Sequence, residues 1–171
     1  DDIASIAEVT RTRDGVWLHI DGAYGLAAML VPSMRSTFAG VEHADSLVVD
    51  PHKWLFAPFD ACALIYRDPA QARAAHTQHA EYLDHLTEKP DWNPSDLAVQ
   101  LTRRARGLPL WFSLATHGTE QYRASIAHGI DLAREIADEI ERRPGMSLVR
   151  EPQLSVVVFR REGWGLPEYQ A

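Results

Sequence analysis

The chain has 171 residues, of which 46% are hydrophobic and 24% are charged. This size predicts a globular protein with one core and the beginning of a second domain. A formal net charge of −7 argues against a nucleic-acid-binding surface, which needs clustered lysine and arginine. No apolar run approaches the roughly 20 residues that span a bilayer, and no leader pattern opens the chain. We therefore expect a soluble, cytoplasmic protein that acts on small molecules.

The first two elements form a helix-to-strand step. Residues 2–11 carry apolar side chains at helical spacing, and Asp2 is suited to be the N-cap. After a turn at Asp14, residues 17–20 are typical of a strand, which ends at Asp21. Ligands gather outside the carboxyl ends of strands in open parallel sheets, so Asp21 is a candidate site residue.

A second strand leads to a lysine. Residues 46–49 form a short apolar run typical of a covered parallel sheet, and Pro51 stops the ladder because it has no amide hydrogen. Lys53 therefore lies just beyond a strand end, near Asp21 if the two strands are neighbours. A third strand is predicted at residues 61–66. It contains the single cysteine, Cys62, which excludes an intrachain disulfide and is expected to be a buried thiol.

The rest of the chain predicts a loop, two helices and two strands. Residues 76–96 have mixed charges and little periodicity, and we expect them to form a long mobile loop. Residues 108–116 predict a buried helix that ends at Gly118, and an amphipathic helix is predicted over residues 119–143. Two strand-like runs follow at residues 146–150 and 154–160.

Lys53 and Asp21 together indicate carbonyl chemistry. A lysine that attacks a carbonyl forms an imine, and a pyridoxal phosphate enzyme needs such a lysine and an acid that faces the pyridinium nitrogen. The acid keeps the nitrogen protonated, so that the ring accepts the electron pair released when a bond at the substrate Cα breaks. The alternative is that Asp21 caps a helix and Lys53 is a solvated loop residue, which is the commoner role of either residue type.

The chain resembles the group II pyridoxal phosphate decarboxylases, the class of aromatic amino acid, histidine and glutamate decarboxylases. The resemblance covers nearly all of the chain and implies an α/β fold. The implied fold is part of the large domain of the fold type I, aspartate aminotransferase-like enzymes, with a mainly parallel sheet flanked by helices and the start of a small α+β domain. The motifs that carry the resemblance are Trp17 to Tyr24, Ala44-Asp45-Ser46, Asp50 to Trp54, Phe59-Asp60 and Arg103-Arg104.

The resemblance also implies roles for individual residues. Lys53 would form the Schiff base with pyridoxal 5′-phosphate, Asp21 would face its pyridine nitrogen, and Ala23 would lie against one face of the ring. His52 would lie beside the cofactor phosphate or the substrate carboxylate. Tyr82 matches the tyrosine that a mobile loop brings over the active site to protonate Cα, which suits a proton donor in a site closed to water. An ordinary loop tyrosine is the alternative.

The implied reaction is decarboxylation of an L-amino acid, with aromatic substrates as the first guess, to an amine and CO₂. Residues 1–118 match the C-terminal part of the cofactor-binding large domain, residues 119–145 a connecting helix, and residues 146–171 the start of the small domain. The family's phosphate-binding loop and ring-stacking histidine have no counterpart in the sequence. We therefore interpret the chain as the central portion of a homodimeric enzyme with its active site at the subunit interface, and expect it to be inactive alone.

Two other functions stay open at this stage. The chain could belong to another fold type I lyase or aminotransferase, because fold does not specify the reaction. It could also be a non-catalytic dimerisation fragment of such an enzyme.

Several polar residues have more than one interpretation. His76 and His79 have metal-like spacing, but no cysteine or carboxylate cluster completes a site, so we expect no metal. His19 is expected to be a hydrogen-bonded histidine of the core or of the layer behind the site. Arg103 and Arg104, with the nearby Arg106, either contact an anion, brace the dimer or form a charge cluster at a helix start. A carboxylate at position 50 would repel phosphate, so no cofactor contact is assigned there.

Overall fold

A computed structural model describes residues 2–76 and 94–170 of the chain. The strands are β1 His19–Asp21, β2 Ser46–Val49, β3 Ala63–Tyr66, β4 Met146–Arg150 and β5 Val158–Arg161. The α-helices are α1 Ile3–Arg11, α2 Pro69–His76, α3 Gly107–Arg142 and α4 Leu166–Gln170. Short 3₁₀ helices lie at Gly25–Leu30, Pro32–Phe38, Val41–His43 and Pro94–Leu97.

The main sheet has the strand order β1-β2-β3. Strands β1 and β2 are parallel, with Asp21 opposite Val48, whereas β2 and β3 are antiparallel. The connection between β2 and β3 contains no crossover helix, which a parallel pair ordinarily requires, so the chain returns alongside β2 in the opposite direction. The described sheet is therefore mixed, with one parallel and one antiparallel pair. Its outer strands, β1 and β3, each have one edge without a partner among the described residues.

Side-chain hydrogen bonds join the segment before β1 to the start of β2. The Leu18 amide donates to the Asp45 carboxylate at 2.7 Å, and Trp17 Nε1 donates to the hydroxyl of the buried Ser46 at 2.9 Å. Because the Leu18 amide is bonded to a side chain, the strand ladder begins at His19, two residues later than predicted. The Ala44-Asp45-Ser46 motif thus fixes β1 against β2.

The main core lies between the 3₁₀ helices and the second half of α3. Trp54 is its largest member, and its ring stacks on Tyr24 with centroids 4.8 Å apart and planes 4° apart. Ile126 of α3 is fully buried. The buried cluster consists of Leu26, Ala27, Ala28, Val31, Met34, Phe38, Trp54, Ile126 and Ile130. The residue next to Lys53 is therefore anchored in the core.

The helices follow local sequence signals closely. Asp2 caps α1 by accepting a hydrogen bond from the Ser5 amide at 3.0 Å, as predicted. Helix α3 is interrupted at Gly118, whose φ of 73° and ψ of 160° are non-helical, so the predicted break is confirmed. The predicted burial of the first half of α3 is wrong, because the side chains of Trp111 and Phe112 are exposed. Those two rings contact each other edge to face, 5.0 Å apart.

The second sheet pairs β4 with β5 in antiparallel register. Strand β4 has the predicted bounds, but β5 begins at Val158, four residues later than predicted. The reason is tertiary: the Ser155 hydroxyl is hydrogen-bonded to Tyr24, and Leu154 packs against the main core. Ser155 and Leu154 therefore contact Tyr24 and the main core instead of extending β5.

The predicted loop at residues 76–96 lies mostly outside the described residues. Its described ends are helical, since His76 is the last residue of α2 and Pro94 begins a 3₁₀ helix. In the part of the chain that the structure describes, no helix is both long and apolar enough to cross a lipid bilayer.

Candidate active site

A tight turn after β2 positions Lys53. The Asp50 amide donates to the Ala23 carbonyl at 2.9 Å, and the Lys53 amide donates to the Asp50 carbonyl at 3.0 Å, which closes the turn around Pro51. The next residue, Trp54, is buried in the main core. The backbone of Lys53 is therefore held from both sides, at the carboxyl end of β2.

The Lys53 ammonium pairs with a carboxylate that sequence reasoning had set aside. Its Nζ lies 2.8 Å from Asp50 Oδ2. The Lys53 side chain is 42% exposed, whereas that of Asp50 is only 14% exposed. The hydrogen bond that the Lys53 ammonium donates to Asp50 raises the pKa of Lys53, and the same bond lowers the pKa of Asp50. The feature of the sequence that could have indicated this ion pair is the three-residue spacing of Asp50 and Lys53 around Pro51.

Asp21 contributes a second carboxylate from the neighbouring strand. It is the last residue of β1, it is exposed, and its Oδ1 accepts the Ala23 amide at 3.1 Å. The negative charge of Asp21 adds to the rise in the pKa of Lys53, so the two side chains share one electrostatic environment. The predicted convergence of an acid and an amine at adjacent strand ends is thus present in the structure.

Two small residues follow Asp21. The Gly22 amide bonds to the Val48 carbonyl at 3.1 Å, and a Cβ built on Gly22 would lie 2.1 Å from the Leu26 side chain. Position 22 therefore has no room for a side chain. Ala23 is half-buried, and its amide is the group that contacts the Asp21 carboxylate.

His52 is held by the backbone that precedes β3. Its Nδ1 lies 2.5 Å from the Ala61 carbonyl oxygen and 3.1 Å from the Ala61 amide nitrogen. In one neutral tautomer Nδ1 donates to the Ala61 carbonyl oxygen, and in the other it accepts from the Ala61 amide. Phe59 meets the imidazole edge to face, with ring centroids 5.0 Å apart. The imidazole orientation is therefore defined by groups from the β2–β3 connection.

Known proteins of similar sequence identify the family of the chain. The family model described as the pyridoxal-dependent decarboxylase conserved domain matches residues 1–162. The chain belongs to this family. The resemblance predicted from sequence is confirmed, and so is the α/β fold, which is a partial fold type I domain.

Individual relatives agree with this assignment. The chain is 36% identical over 167 residues to L-2,4-diaminobutyrate decarboxylase of Acinetobacter baumannii, over 96% of the chain and 32% of the relative. It is 32% identical over 162 residues to aromatic-L-amino-acid decarboxylase of Bacillus atrophaeus, over 94% of the chain and 34% of the relative. The crystal structure of Oryza sativa TDC with PLP and tryptamine matches with a TM-score of 0.87 and 29% identity, over 95% of the chain and 33% of that structure. The chain spans about a third of the length of these relatives.

The described site residues fit the chemistry of pyridoxal phosphate. The cofactor needs an amine for its aldehyde and an acid for its ring nitrogen. Lys53 supplies a partly exposed amine, and Asp21 supplies an exposed carboxylate whose charge reaches that amine. The donor set therefore matches the aldehyde and ring nitrogen of the cofactor.

Cys62 departs from one expectation. It is exposed and free, not buried as predicted. It precedes β3 instead of belonging to the strand. Partial desolvation, followed by the neighbouring Asp50 carboxylate, raises the pKa of the thiol. Cys62 thus belongs to the surroundings of Lys53, which its apolar sequence neighbours did not indicate.

The arginines before α3 have partners within the chain. Arg104 pairs with Asp60 at 2.6 Å, and the Nε of Arg106 lies 3.3 Å from the same carboxylate oxygen. Arg103 donates to the Pro94 carbonyl at 2.9 Å. Among the alternatives for this cluster, the structure favours a charge cluster at a helix start that neutralises Asp60.

The remaining histidines do not form a site among the described residues. His19 is hydrogen-bonded to Ser46 at 2.8 Å as expected, but it is exposed and does not lie in the core. His76 Nε2 lies 2.9 Å from the Tyr66 hydroxyl. No group of three potential metal ligands occurs in residues 2–76 and 94–170. His79 and Tyr82 lie outside the described residues.

Proposed function

We propose that the protein decarboxylates an L-amino acid to an amine and CO₂ with pyridoxal 5′-phosphate bound through Lys53. The proposal depends above all on the placement of the Lys53 amine and the Asp21 carboxylate at the carboxyl ends of two adjacent parallel strands. When bound, the cofactor supplies an aldehyde that reacts with an amine and a ring that accepts the electron pair left by CO₂.

Each described site residue has a proposed task. Lys53 binds the cofactor aldehyde through Nζ. Asp21 holds a proton on the ring nitrogen, which keeps the ring a good electron acceptor. Ala23 lies against one ring face, where its small side chain leaves room for a flat group. His52, held by the backbone of Ala61, is proposed to lie beside the cofactor phosphate or the substrate carboxylate.

Tyr82 is proposed to return a proton to the substrate Cα after CO₂ leaves. The support is its motif context, Glu81-Tyr82-Leu83, which is similar to the loop of aromatic amino acid decarboxylases. A phenol can donate a proton in a site from which water is excluded. Tyr82→Phe should therefore diminish amine formation and increase aldehyde formation, measured by chromatography of the products. Tyr169→Phe, which alters a tyrosine of α4, is the control, and equal product ratios in both variants would contradict the role of Tyr82.

The substrate class rests on the relatives. An aromatic L-amino acid is the first candidate, because the Phe59-Asp60 and Glu81-Tyr82-Leu83 segments are most similar to aromatic amino acid decarboxylases. L-2,4-diaminobutyrate is the second candidate, because a decarboxylase named for it is 36% identical to the chain. A screen of amine release across the natural amino acids and diaminobutyrate separates the two.

The assembly and location are also proposals. We propose a homodimer with the active site at the subunit interface, in the cytoplasm, where an exposed free thiol such as Cys62 stays reduced. We further propose that residues 1–118 belong to the cofactor-binding domain, residues 119–145 to a connecting helix and residues 146–171 to the small domain. The non-helical conformation at Gly118 and the separate β4–β5 sheet support this division.

The decisive experiment is chemical trapping at Lys53. The full-length protein is incubated with pyridoxal phosphate, reduced with borohydride and digested, and the modified lysine is identified by mass spectrometry. We expect modification of Lys53 and CO₂ release from an amino acid, both abolished by Lys53→Ala. Lys89→Ala is the matched control, because Lys53 and Lys89 are the two lysines of the chain. Modification elsewhere would contradict the role of Lys53, and amino-group transfer without CO₂ release would indicate an aminotransferase.

A further inference from the structure

Asp50 occupies an unusual position beside the proposed cofactor lysine. Its carboxylate is 14% exposed and lies 2.8 Å from Lys53 Nζ, while its own amide is fixed to the Ala23 carbonyl. The backbone of Asp50 is therefore held in place by the fold, and its carboxylate is the more buried partner of the pair.

We propose that Asp50 is a positioning residue that holds the Lys53 ammonium before the cofactor arrives and controls when that ammonium gives up its proton. This inference rests on the proposed function, because it concerns the step at which Lys53 becomes able to bind the cofactor aldehyde. It assigns a task to a carboxylate that has none in the decarboxylation itself.

Most of the charged groups around Lys53 favour its protonated form. Asp50 and Asp21 both favour the ammonium form, and a Cys62 thiolate would do the same. His52 faces Asp50, and a positive charge on its ring would favour the Asp50 carboxylate. The pKa of Lys53 is raised by this set, with the Asp50 hydrogen bond as the largest cause and partial burial opposing it. The neutral amine is consequently scarce near pH 7.

Only the neutral amine can attack an aldehyde, because the ammonium has no lone pair. Nζ first releases one proton to water and leaves the Asp50 carboxylate. Its lone pair then forms the carbon–nitrogen bond, and the carbonyl oxygen takes the two remaining Nζ hydrogens and departs as water. Asp50 therefore slows attachment at neutral pH while it keeps the lysine in the turn after β2.

The test measures the nucleophilicity of Lys53 without any cofactor. Cofactor-free full-length protein is labelled with trace acetic anhydride between pH 7 and 11, and acetylation of Lys53 is quantified by peptide mass spectrometry. At pH 8 we expect Asp50→Asn to label Lys53 about two- to fivefold faster than the wild type, the range for an ion pair with one exposed partner. Asp50→Glu should restore slow labelling.

A matched control isolates the ion pair. Asp131→Asn removes another three-residue-spaced pair, with Arg134 at 3.2 Å on the surface of α3, and should leave Lys53 labelling unchanged. If Asp50→Asn folds poorly by circular dichroism, Asp50→Ser removes the charge at the same position and gives the same comparison. Labelling curves of the uncharged variant and the wild type that superimpose would overturn the inference.

A second measurement separates charge at Lys53 from charge near the cofactor phosphate. The rate at which free pyridoxal, which has no phosphate, attaches to Lys53 is followed by absorbance at pH 7.5. We expect the same two- to fivefold increase in Asp50→Asn. An increase seen with pyridoxal phosphate but not with pyridoxal would overturn the inference, because phosphate repulsion would then explain it.

The outcomes for the two proposals are distinguishable. Borohydride trapping at Lys53 with an unchanged labelling curve in Asp50→Asn overturns the Asp50 inference alone. A shifted labelling curve without trapping at Lys53 supports the Asp50 inference and overturns the proposed function alone.

Discussion

Trp54 should be the side chain whose loss most damages the support of Lys53. It is 6% exposed and stacks on Tyr24, and a Cβ on Gly129 would already lie 3.5 Å from its Nε1. A tryptophan of this kind buries about 150–250 Å², which at about 25 cal/mol per Å² corresponds to roughly 4–6 kcal/mol. Part of that surface remains covered in alanine, so Trp54→Ala should lower the free energy of unfolding by about 3–5 kcal/mol.

The assay is equilibrium urea unfolding of the full-length protein, followed by far-ultraviolet circular dichroism. Trp164→Ala is the matched control, because Trp164 also contacts a tyrosine ring, Tyr169 at 5.4 Å, but is 43% exposed. Trp164→Ala should lower the free energy of unfolding by about 1 kcal/mol or less. A double-mutant cycle of Trp54→Leu and Tyr24→Leu should give a coupling free energy of about 0.5–1.5 kcal/mol for the stacked pair.

The same variant connects packing to the site. Trp54→Ala leaves the Lys53 turn without its anchor on one side, so borohydride trapping at Lys53 should slow, whereas Trp164→Ala should not change it. The reasoning is refuted if Trp54→Ala and Trp164→Ala lose the same free energy of unfolding to within about 1 kcal/mol.

Two further predictions concern the strand end and the ion pair. Gly22→Ala should lower the free energy of unfolding by about 1–3 kcal/mol, because the new methyl group overlaps the Leu26 side chain. Gly107→Ala is the control, because a Cβ at Gly107 has no neighbour within 4 Å and should not destabilise the protein. Equal urea midpoints for the two variants would contradict this prediction. The stability difference between wild type and Asp50→Asn should be constant between about pH 4 and pH 10. It should shrink below this window as Asp50, whose pKa is lowered, gains a proton, and above it as Lys53, whose pKa is raised, loses one. Urea midpoints across pH measure this difference, and a difference that shrinks at neither end of the pH range would contradict the ion pair.

The features that sequence predicted well are those that depend on neighbouring residues. The Asp2 cap, the bounds of β2 and the break at Gly118 each follow from the chemistry of one or two side chains. The convergence of Asp21 and Lys53 followed from a general property of parallel strands, that their carboxyl ends meet at one edge. Local signals were sufficient there because no distant contact opposes them.

The features that sequence predicted poorly depend on distant contacts. The apolar run around Cys62 resembled a core strand, yet the chain enters β3 only at Ala63, opposite Val49, and Cys62 is exposed. The late start of β5 depends on the bond between Ser155 and Tyr24, which are 131 residues apart. Neither contact leaves a periodic signal in the sequence.

Strands β1 and β3 each have one edge without a partner among residues 2–76 and 94–170, and this has a practical consequence. Apolar side chains of β3 such as Ile65 are exposed. Unpaired strand edges promote aggregation and strand exchange. Expression of these 171 residues alone should therefore yield oligomers, and a co-expressed polypeptide that restores a monomer would do so by pairing with β1 or β3.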